Sequence, residues 1–324
     1  MQVIGSHNSY KQAIEPDLYQ FLEERDTTGG IKTLQYTHLP IPEQLRMGLR
    51  NLEIDVYIDS EGGKYAHPQG LELLEGGSNY DPEGKMMKPG FKMLHIADID
   101  FRTSYYTLNN CLSALKSWSE QHPDHSPVFI TLEPKDGPPN RWGTTPEPYT
   151  STAFDDLDKE IRDGLGEEHL ITPDMVRGPY ETLEEAVSAG NWPGLVEAQG
   201  KFMFILDNDG DKKEIYRQGH PSLQNRVLFI NASQGSPEAA AMIINDPHDS
   251  RIPDLVKEGY IIRTRADAGT LQARNNDYSD FEAAKQSGAQ IITTDYYVPS
   301  TLFASDYHVS FENDQFERPN PIFK

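Results

Sequence analysis

The chain has 324 residues, a hydrophobic fraction of 36% and a mean hydropathy of −0.64, values typical of a globular protein with a large core. Its 51 acidic residues against 29 basic ones give a net charge of −22, which argues against a nucleic-acid partner and against more than peripheral contact with an anionic membrane. The single cysteine, Cys111, excludes an intrachain disulfide and a thiolate metal cluster.

Eight short apolar or β-branched runs that end in polar residues predict eight strands. In chain order they cover residues 2–6, 51–57, 91–95, 127–133, 201–206, 226–231, 259–265 and 289–294. Helix-start patterns lie between them. These patterns are Thr182 with Glu185, Ser279 with Glu282, and Ser236 before Pro237, the last of which predicts a helix over 239–244.

Strand and helix alternate along the whole chain, which predicts a parallel sheet. Eight such units with no spare element predict its closure into a (β/α)₈, or TIM, barrel. We therefore expect one catalytic domain over residues 1–324. Long segments at 71–89, which includes Gly76, Gly77 and Gly84, and at 137–148 follow the second and fourth strands. We expect both over the barrel mouth, where such loops set specificity.

Polar residues cluster at the C-terminal ends of the predicted strands, where barrel enzymes build their active sites. Because side chains alternate along a strand, Glu53 and Asp55 point to one side, as do Arg263 and Arg265. Placed inward, they would meet polar residues from other strands at one mouth. The full set is His7, Asn8, Glu53, Asp55, His95, Glu133, Lys135, Asp207, Arg263, Arg265 and Asp295.

Part of this set suits a hard cation, because it offers carboxylate and amide oxygens without a thiolate; one Ca²⁺ fits better than zinc, and Mg²⁺ stays open. These donors are Asn8, Glu53, Asp55 and Glu133. Glu53 and Asp55 could instead be salt-bridged inside the barrel, but two unpaired carboxylates repel each other, which favours a cation. His7 and His95 beside a metal suit phosphoryl transfer, in which one histidine takes a proton and the other gives one.

Three features have a second interpretation. His67 follows the second strand and could also reach the mouth, but it does not end a strand, so we expect it to be structural or substrate-facing. The sequence DNDGD at 207–211 is similar to a calcium loop, but its glycine stands fourth instead of sixth, which predicts a polar turn. Lys135 and Asp136 could equally form a solvated pair.

Five motifs, in this order, resemble the Ca²⁺-dependent phosphatidylinositol-specific phospholipase C family in its single-domain bacterial and fungal form. They are IGSHNSY, NLEIDVY, MLHIADIDFRTSYYTLNNCL, FITLEPKD and IIRTRADAGTLQARNNDYSDFEAAKQSGAQIITTDYY. The resemblance runs from Val3 to about Pro299 and implies a TIM barrel of the phospholipase-C-like phosphodiesterase type.

The resemblance also implies roles for individual residues. His7 would be the base that activates the inositol 2-hydroxyl, and His95 would stabilise the transition state or assist the leaving group. The implied ligands of one Ca²⁺ are Asn8, Glu53, Asp55 and Glu133, and the implied substrate-binding residues are Lys135, Arg263 and Arg265. The reaction would give a cyclic inositol phosphate and diacylglycerol, and it requires no nucleophile from the protein.

The negative charge fits poorly with a lipid interface, so a soluble inositol phosphodiester is an alternative substrate to the inositol phospholipid. A glycerophosphodiester phosphodiesterase would also use a barrel, an early histidine and a metal, but its usual His-Arg-Gly is here Ser6-His7-Asn8-Ser9. A non-catalytic Ca²⁺-dependent phosphoinositol-binding protein would not require two titratable histidines. We expect a secreted, extracellular monomer of lipid metabolism whose leader is not part of this sequence.

Overall fold

The structure, a computed structural model, describes residues 1–74, 79–139 and 143–323. Ten strands lie in these ranges: β1 Gln2–Ser6, β2 Asn51–Asp59, β3 Gly90–Met93, β4 Val128–Pro134, β5 Phe202–Leu206, β6 Phe229–Ile230, β7 Ala241–Ile243, β8 Ile261–Arg265, β9 Ile291–Thr294 and β10 Glu317–Arg318. Eight of them form the parallel order β6-β5-β4-β2-β1-β9-β8-β7, and β3 and β10 are added antiparallel to β2 and β1. The fold is the predicted (β/α)₈ barrel.

Ten α-helices lie in the same ranges: α1 Pro16–Glu23, α2 Ile41–Met47, α3 Leu108–Gln121, α4 Ser151–Leu165, α5 Pro173–Arg177, α6 Leu183–Ser188, α7 Asp211–Arg217, α8 Ile252–Lys257, α9 Leu271–Asn275 and α10 Ser279–Ser287. Short 3₁₀ helices cover Ile31–Leu34, Gln69–Leu73, Lys85–Met87, Glu167–His169, Pro221–Leu223 and Glu312–Asp314. None of the helices in the described part of the chain has the length and apolar character that crossing a bilayer requires.

The barrel closes between its two shortest neighbours, β6 and β7. One parallel bridge joins Asn231 to Ala241. The Asn231 side chain extends this contact, because its Oδ1 accepts the backbone N–H of Ile243 at 2.9 Å. A side-chain amide therefore occupies a position in the ladder that a longer strand would fill with backbone.

One predicted barrel strand, 91–95, was wrong. Residues 90–93 form β3, which pairs antiparallel with the extended end of β2, from Asp59 opposite Gly90 to Val56 opposite Met93. Antiparallel neighbours can be joined without a crossover helix, and this pairing makes β3 a hairpin arm outside the barrel wall. The arm still returns the chain toward the mouth.

The predicted helix over 239–244 was also wrong, because residues 241–243 form the barrel strand β7. Their short apolar run, AMI, is compatible with either a buried strand or a buried helix, and length alone decides between them. Ser236 and Pro237 lie in a turn, in which the Ala239 N–H donates to the Ser236 carbonyl at 2.9 Å. The predicted number of eight barrel strands is right, but β7 takes the place of the predicted strand at 91–95.

The two remaining helix-start predictions had different outcomes. Thr182 and Glu185 form the complete capping box of α6, with hydrogen bonds in both directions. Ser279 begins α10 as predicted, but no side-chain cap bond forms there; its N–H donates to the Asp277 carboxylate at 2.9 Å.

Glycine permits the close approach of β1 to β2 that positions the site. A Cβ atom on Gly5 would lie 2.3 Å from the carbonyl oxygen of Asn51, its partner residue on β2. No side chain fits in that space, so a larger residue would push the two strands apart. His7 and Glu53, two residues beyond this contact on each strand, depend on it for their separation.

The segment 137–148 contacts the chain on both sides of the segment 71–89 where the structure describes it. Lys64 Nζ lies 3.1 Å from Glu147 Oε1, and the Thr144 hydroxyl donates to Asp98 Oδ1 at 3.0 Å, next to the turn that follows His95. Gly76 and Gly77 of the first segment lie outside the described residues.

Candidate active site

His7 follows β1 and is paired through both ring nitrogens. Nδ1 lies 2.8 Å from Asp295 Oδ1, just beyond β9, and Nε2 lies 3.3 Å from Glu53 Oε1 on β2. Burial disfavours ionisation of Asp295, but the charge of His7 outweighs it and lowers the pKa of Asp295 to about 2. An ionised carboxylate at Nδ1 holds a proton there, so Nε2 is the nitrogen available as a base.

His95 has the same arrangement in a different part of the chain. Its Nδ1 lies 2.7 Å from Asp100 Oδ2, and the Asp100 side chain is fully buried. The hydroxyl of Tyr57, on β2, donates to the backbone carbonyl of His95 at 3.0 Å, which ties the end of the β3 arm to the barrel. The His95 ring is 15% exposed and the His7 ring 18%, so solvent reaches both.

Glu53 contacts both His7 and Arg263. Its Oε2 accepts a hydrogen bond from Arg263 on β8, whose other terminal nitrogen binds the Asn245 side chain. Burial raises the pKa of Glu53, but the charges of Arg263 and then His7 outweigh it, so the net pKa lies below its ordinary value. Arg263 is 2% exposed, and its guanidinium holds Glu53 in place.

Asp55 and Glu133 both contact the ammonium group of Lys135. They are partner residues on β2 and β4, and Lys135 Nζ lies 3.3 Å from Asp55 Oδ2 and 3.1 Å from Glu133 Oε1. Burial raises the pKa of Asp55 to about 7 against the opposing charge of Lys135. The predicted alternative of a solvated pair between Lys135 and Asp136 is wrong, because Asp136 pairs with Lys212 at 2.7 Å.

Asn8 has a backbone conformation and an amide orientation that leave one oxygen free. Its φ of 48° lies in the left-handed region, which asparagine adopts more readily than most residues. The Asn8 amide donates to the Tyr36 hydroxyl at 2.7 Å. The Asn8 Oδ1 atom is buried and has no hydrogen-bond partner among the residues that the structure describes.

The predicted ligands fit a hard cation by their chemistry. Within the described residues, no three His, Cys, Asp or Glu side chains already form a group that could hold a metal ion. Asn8 Oδ1 and Asp55 Oδ1 are nevertheless buried without a hydrogen-bond donor in the same part of the chain, which is costly unless a cation or donor meets them. The Lys135 ammonium already lies between Asp55 and Glu133, so this side of the site accepts positive charge.

Arg265 and a buried aspartate complete the surroundings of Asp295. Arg265 Nη2 lies 3.7 Å from Asp295 Oδ2, and the arginine side chain is 18% exposed. Asp267 accepts the backbone N–H of Asp295 at 2.9 Å and a hydrogen bond from the Thr294 hydroxyl. The end of β9 is therefore fixed from two sides.

Sequence reasoning missed the partners of the two histidines. Asp295 is among the predicted strand-end residues, and that position is the signal that points to it. Asp100 follows β3 by seven residues and Asp267 follows β8 by two, and no sequence period points to either. His67 is exposed in the segment after β2, and 207–211 forms the turn that enters α7, with the Asn208 side chain accepting the Gly210 N–H at 3.0 Å.

These contacts define a barrel enzyme with two carboxylate-supported histidines, His7 after the barrel strand β1 and His95 after the antiparallel strand β3. Such a pair can take a proton on one side of a substrate and give one on the other. Buried carboxylate and amide oxygens beside it can hold a cation, and Lys135 and Arg265 can meet an anionic group.

A family profile described as Ca²⁺-dependent phosphoinositide phospholipase C matches residues 1–321. The chain belongs to this family, whose members cleave phosphodiesters, and it is therefore an enzyme of that class. No curated protein matches the chain.

Two solved structures show the same fold. A calcium-dependent phosphoinositol-specific phospholipase C from the Gram-negative bacterium Pseudomonas sp. has a TM-score of 0.56 and 16% identity, covering 98% of this chain and 93% of that one. A Ca²⁺-dependent phosphatidylinositol-specific phospholipase C from Streptomyces antibioticus has a TM-score of 0.55 and 18% identity, covering 93% of this chain and 95% of that one.

Proposed function

We propose that this enzyme cleaves phosphatidylinositol, or a closely related inositol phosphodiester, by attack of the inositol 2-hydroxyl oxygen on phosphorus. The new O2–P bond forms as the bond from phosphorus to the lipid oxygen breaks. The products are a 1,2-cyclic inositol phosphate and diacylglycerol. Family membership supports the substrate class. The observation that supports the mechanism is that His7 and His95 are each hydrogen-bonded to an aspartate through Nδ1.

His7 is the base in this proposal and His95 the acid. The proton of the 2-hydroxyl moves to His7 Nε2, and the resulting imidazolium is stabilised by Asp295 at Nδ1 and Glu53 at Nε2. During turnover His95, bound to Asp100 through Nδ1, carries a second proton on Nε2 and gives it to the leaving lipid oxygen. Two histidines on separate elements suit this task, because base and acid must act on opposite sides of phosphorus.

The oxygen donors predicted from the sequence would hold one Ca²⁺, which when bound supplies positive charge to the phosphoryl oxygens. The unpartnered Oδ1 atoms of Asn8 and Asp55 support this assignment most directly. Glu53 and Glu133 complete the set. Lys135 and Arg265, both partly exposed, are the residues we assign to phosphate or inositol hydroxyls. The nearly complete burial of Arg263 supports a role in holding Glu53, and its direct contact with substrate stays a prediction.

Hydrolysis of phosphatidylinositol, followed by ³¹P NMR with and without EGTA, tests the proposal. We expect a cyclic phosphate that appears only with Ca²⁺. His7→Ala and His95→Ala should each lower the rate by about 10³-fold or more. His248→Ala, at an exposed histidine whose ring pairs with Asp280, is the matched control and should leave the rate unchanged. Turnover that persists in both site variants would remove the two histidines from the mechanism.

A soluble inositol phosphodiester is a second candidate substrate, which the net charge of −22 favours because an acidic surface repels anionic lipid interfaces. Glycerophosphoinositol and phosphatidylinositol vesicles, compared at equal headgroup concentration, separate the two substrates. Turnover of glycerophosphocholine would support a glycerophosphodiester phosphodiesterase instead, because that headgroup lacks the neighbouring ring hydroxyl. Ca²⁺-dependent binding of inositol phosphate without turnover of any diester would indicate a binding protein.

A further inference from the structure

Lys11 is a fully buried lysine four residues after His7. Its side chain is 0% exposed, and its ammonium meets four oxygens: Asp100 Oδ1 at 3.2 Å and the backbone carbonyls of Leu34 at 2.9 Å, Tyr36 at 3.0 Å and Gln12 at 3.5 Å. An ammonium group has three protons to donate, so these acceptors satisfy it. A buried charge without such partners would strongly destabilise the fold, and this one has them all.

Asp100 connects Lys11 to His95. Asp100 binds Lys11 through Oδ1 and the His95 ring through Oδ2, so the carboxylate lies between two positive or donating groups. The two contacts hold both oxygens of Asp100 and so fix the plane of its carboxyl group. A carboxyl group held in this plane accepts the proton of His95 Nδ1 and leaves Nε2 for the mouth.

Tyr36 connects Lys11 to Asn8. Lys11 binds the Tyr36 carbonyl and also lies over the face of the tyrosine ring, 4.4 Å from its centroid. The hydroxyl of that ring accepts the Asn8 amide N–H at 2.7 Å. This hydrogen bond decides which way the amide of Asn8 points, and so where its unpartnered Oδ1 lies.

We propose that Lys11 is a positioning residue for two groups of the active site. It holds His95 through Asp100 and Asn8 through Tyr36. The proposal rests on the function proposed above for His95 and Asn8. It assigns to Lys11 no contact with substrate. Its effect is to set one histidine tautomer and one amide orientation from a single buried charge.

Lys92 offers a matched comparison, because it is the other lysine whose side chain is fully buried in the described part of the chain. Its ammonium lies 3.8 Å from Asp59 Oδ2 and donates to the backbone carbonyls of Lys88 and Lys85. These partners belong to the hairpin and the segment before it. Replacing Lys92 therefore removes a buried ammonium group without removing a contact to Asp100 or to Tyr36.

The experiment compares Lys11→Met with Lys92→Met in the metal-free and Ca²⁺-loaded full chain, without substrate. The ¹⁵N shifts of the His95 ring report its tautomer, and calorimetric titration with Ca²⁺ reports the metal site. We expect Lys11→Met to give mixed His95 tautomers and about 10-fold to 100-fold weaker Ca²⁺ binding, the range for lost support of a metal ligand. Lys92→Met should keep one tautomer and an affinity within about twofold of the wild type.

Variants at Asp100 and at Tyr36 separate the two effects. Asp100→Asn should change the His95 signal with little effect on Ca²⁺ affinity, and Tyr36→Phe should do the reverse. Lys11→Gln keeps a donor for the backbone carbonyls and serves if Lys11→Met does not fold; it should affect His95 more than the metal. An unchanged His95 tautomer and Ca²⁺ affinity in a folded Lys11 variant, or equal changes in Lys92→Met, would overturn the proposal. A wild type that does not cleave phosphatidylinositol would count against the proposed function only, because neither readout uses substrate.

Discussion

In the proposed mechanism, Asp295 acts through its hydrogen bond to His7 instead of through contact with substrate. It fixes the proton of His7 on Nδ1, and Arg265 and the backbone contact with Asp267 fix Asp295 in turn. An amide in its place could accept or donate at the same atom. The wrong tautomer of His7 would then be stabilised as readily as the correct one.

Asp295→Asn should therefore lower kcat on the order of 10³-fold to 10⁴-fold with the fold intact, as in other enzymes that lose the carboxylate behind a catalytic histidine. The measurement is the initial rate of cyclic phosphate formation together with thermal unfolding. Asp280→Asn is the control, because Asp280 pairs with the exposed His248 at 3.0 Å and lies outside the site. Equal rates for the two variants would exclude an orienting role for Asp295.

His38 predicts a pH dependence of stability. Its ring stacks on Tyr297 with centroids 5.5 Å apart, and neither ring nitrogen has a hydrogen-bond partner in the described part of the chain. Burial lowers the pKa of His38 from 6.5 to about 4. The unfolded chain therefore binds the proton more readily, so the contribution of His38 is intact above pH 6.5 and is lost as the pH falls toward 4.

His38→Phe keeps the stacked ring and removes the titration. From the shift of His38 between 6.5 and about 4, the wild type should lose about 3 kcal/mol more unfolding free energy than the variant over that pH interval. Urea unfolding of both proteins at several pH values gives this difference, in which the other titrating groups cancel. Parallel pH profiles for the two proteins would show that His38 is protonated equally easily in both states.

The strand-end residues of the site could be identified from the sequence because chemistry and position agree there. His7, Glu53 and Asp55 end or interrupt apolar runs, and such residues are unexpected unless they face a mouth. Lys11, Tyr36 and Asp100 could not be found this way. Their partners come from segments distant in the chain, and only the folded structure brings them together.

At the scale of elements, the number and order of the barrel strands could be predicted, but the assignment of two short segments could not. An apolar run of three to five residues carries no usable period, so the sequence predicts a barrel strand at β3 and a helix at β7, and both predictions are wrong. His95 nevertheless lies at the mouth as predicted. The reason is different: antiparallel pairing with β2 brings the chain back toward Asp55.

The closure between β6 and β7 predicts a local weakness. Asn231→Leu keeps the volume of the side chain but leaves the N–H of Ile243 without its acceptor. We expect a loss of about 1–3 kcal/mol of unfolding free energy and faster hydrogen exchange at that amide. Asn109→Leu, on the exposed surface of α3, is the control for the change in composition. A variant at position 231 with unchanged exchange at Ile243 would show that the seam is held by other contacts.

At the scale of the whole molecule, the net charge of −22 opposes the approach to an anionic lipid surface that the proposed substrate requires. Sequence composition gives this charge directly, whereas domain organisation, oligomeric state and secretion stay predictions. The repulsion acts over about 10 Å at ~0.1 M salt and about 30 Å at ~0.01 M salt. Ionic strength is therefore a direct control on encounter with the membrane.

Hydrolysis of phosphatidylinositol in vesicles should accelerate as salt rises from about 0.01 M to about 0.1 M at saturating Ca²⁺, because screening weakens the repulsion. Vesicles diluted with a neutral phospholipid should show a smaller effect than vesicles diluted with an anionic one. Glycerophosphoinositol, a small soluble diester, is the control and should respond least. A rate on vesicles that falls with salt would indicate a local positive surface at the mouth that dominates the net charge.

The pairing of β2 with β3 makes the spacing of the proposed acid and base, His95 and His7, adjustable without remodelling the barrel. His7 is attached to the barrel wall through β1, whereas His95 is carried by an arm whose register against β2 is set by the pairing of Val56 with Met93. A register shift of two residues preserves which face each side chain occupies and moves it by about 7 Å along the strand. Relatives with the same barrel could thus accommodate substrates of different size by insertions or deletions in pairs before β3, and an engineer could use the same change to alter substrate preference.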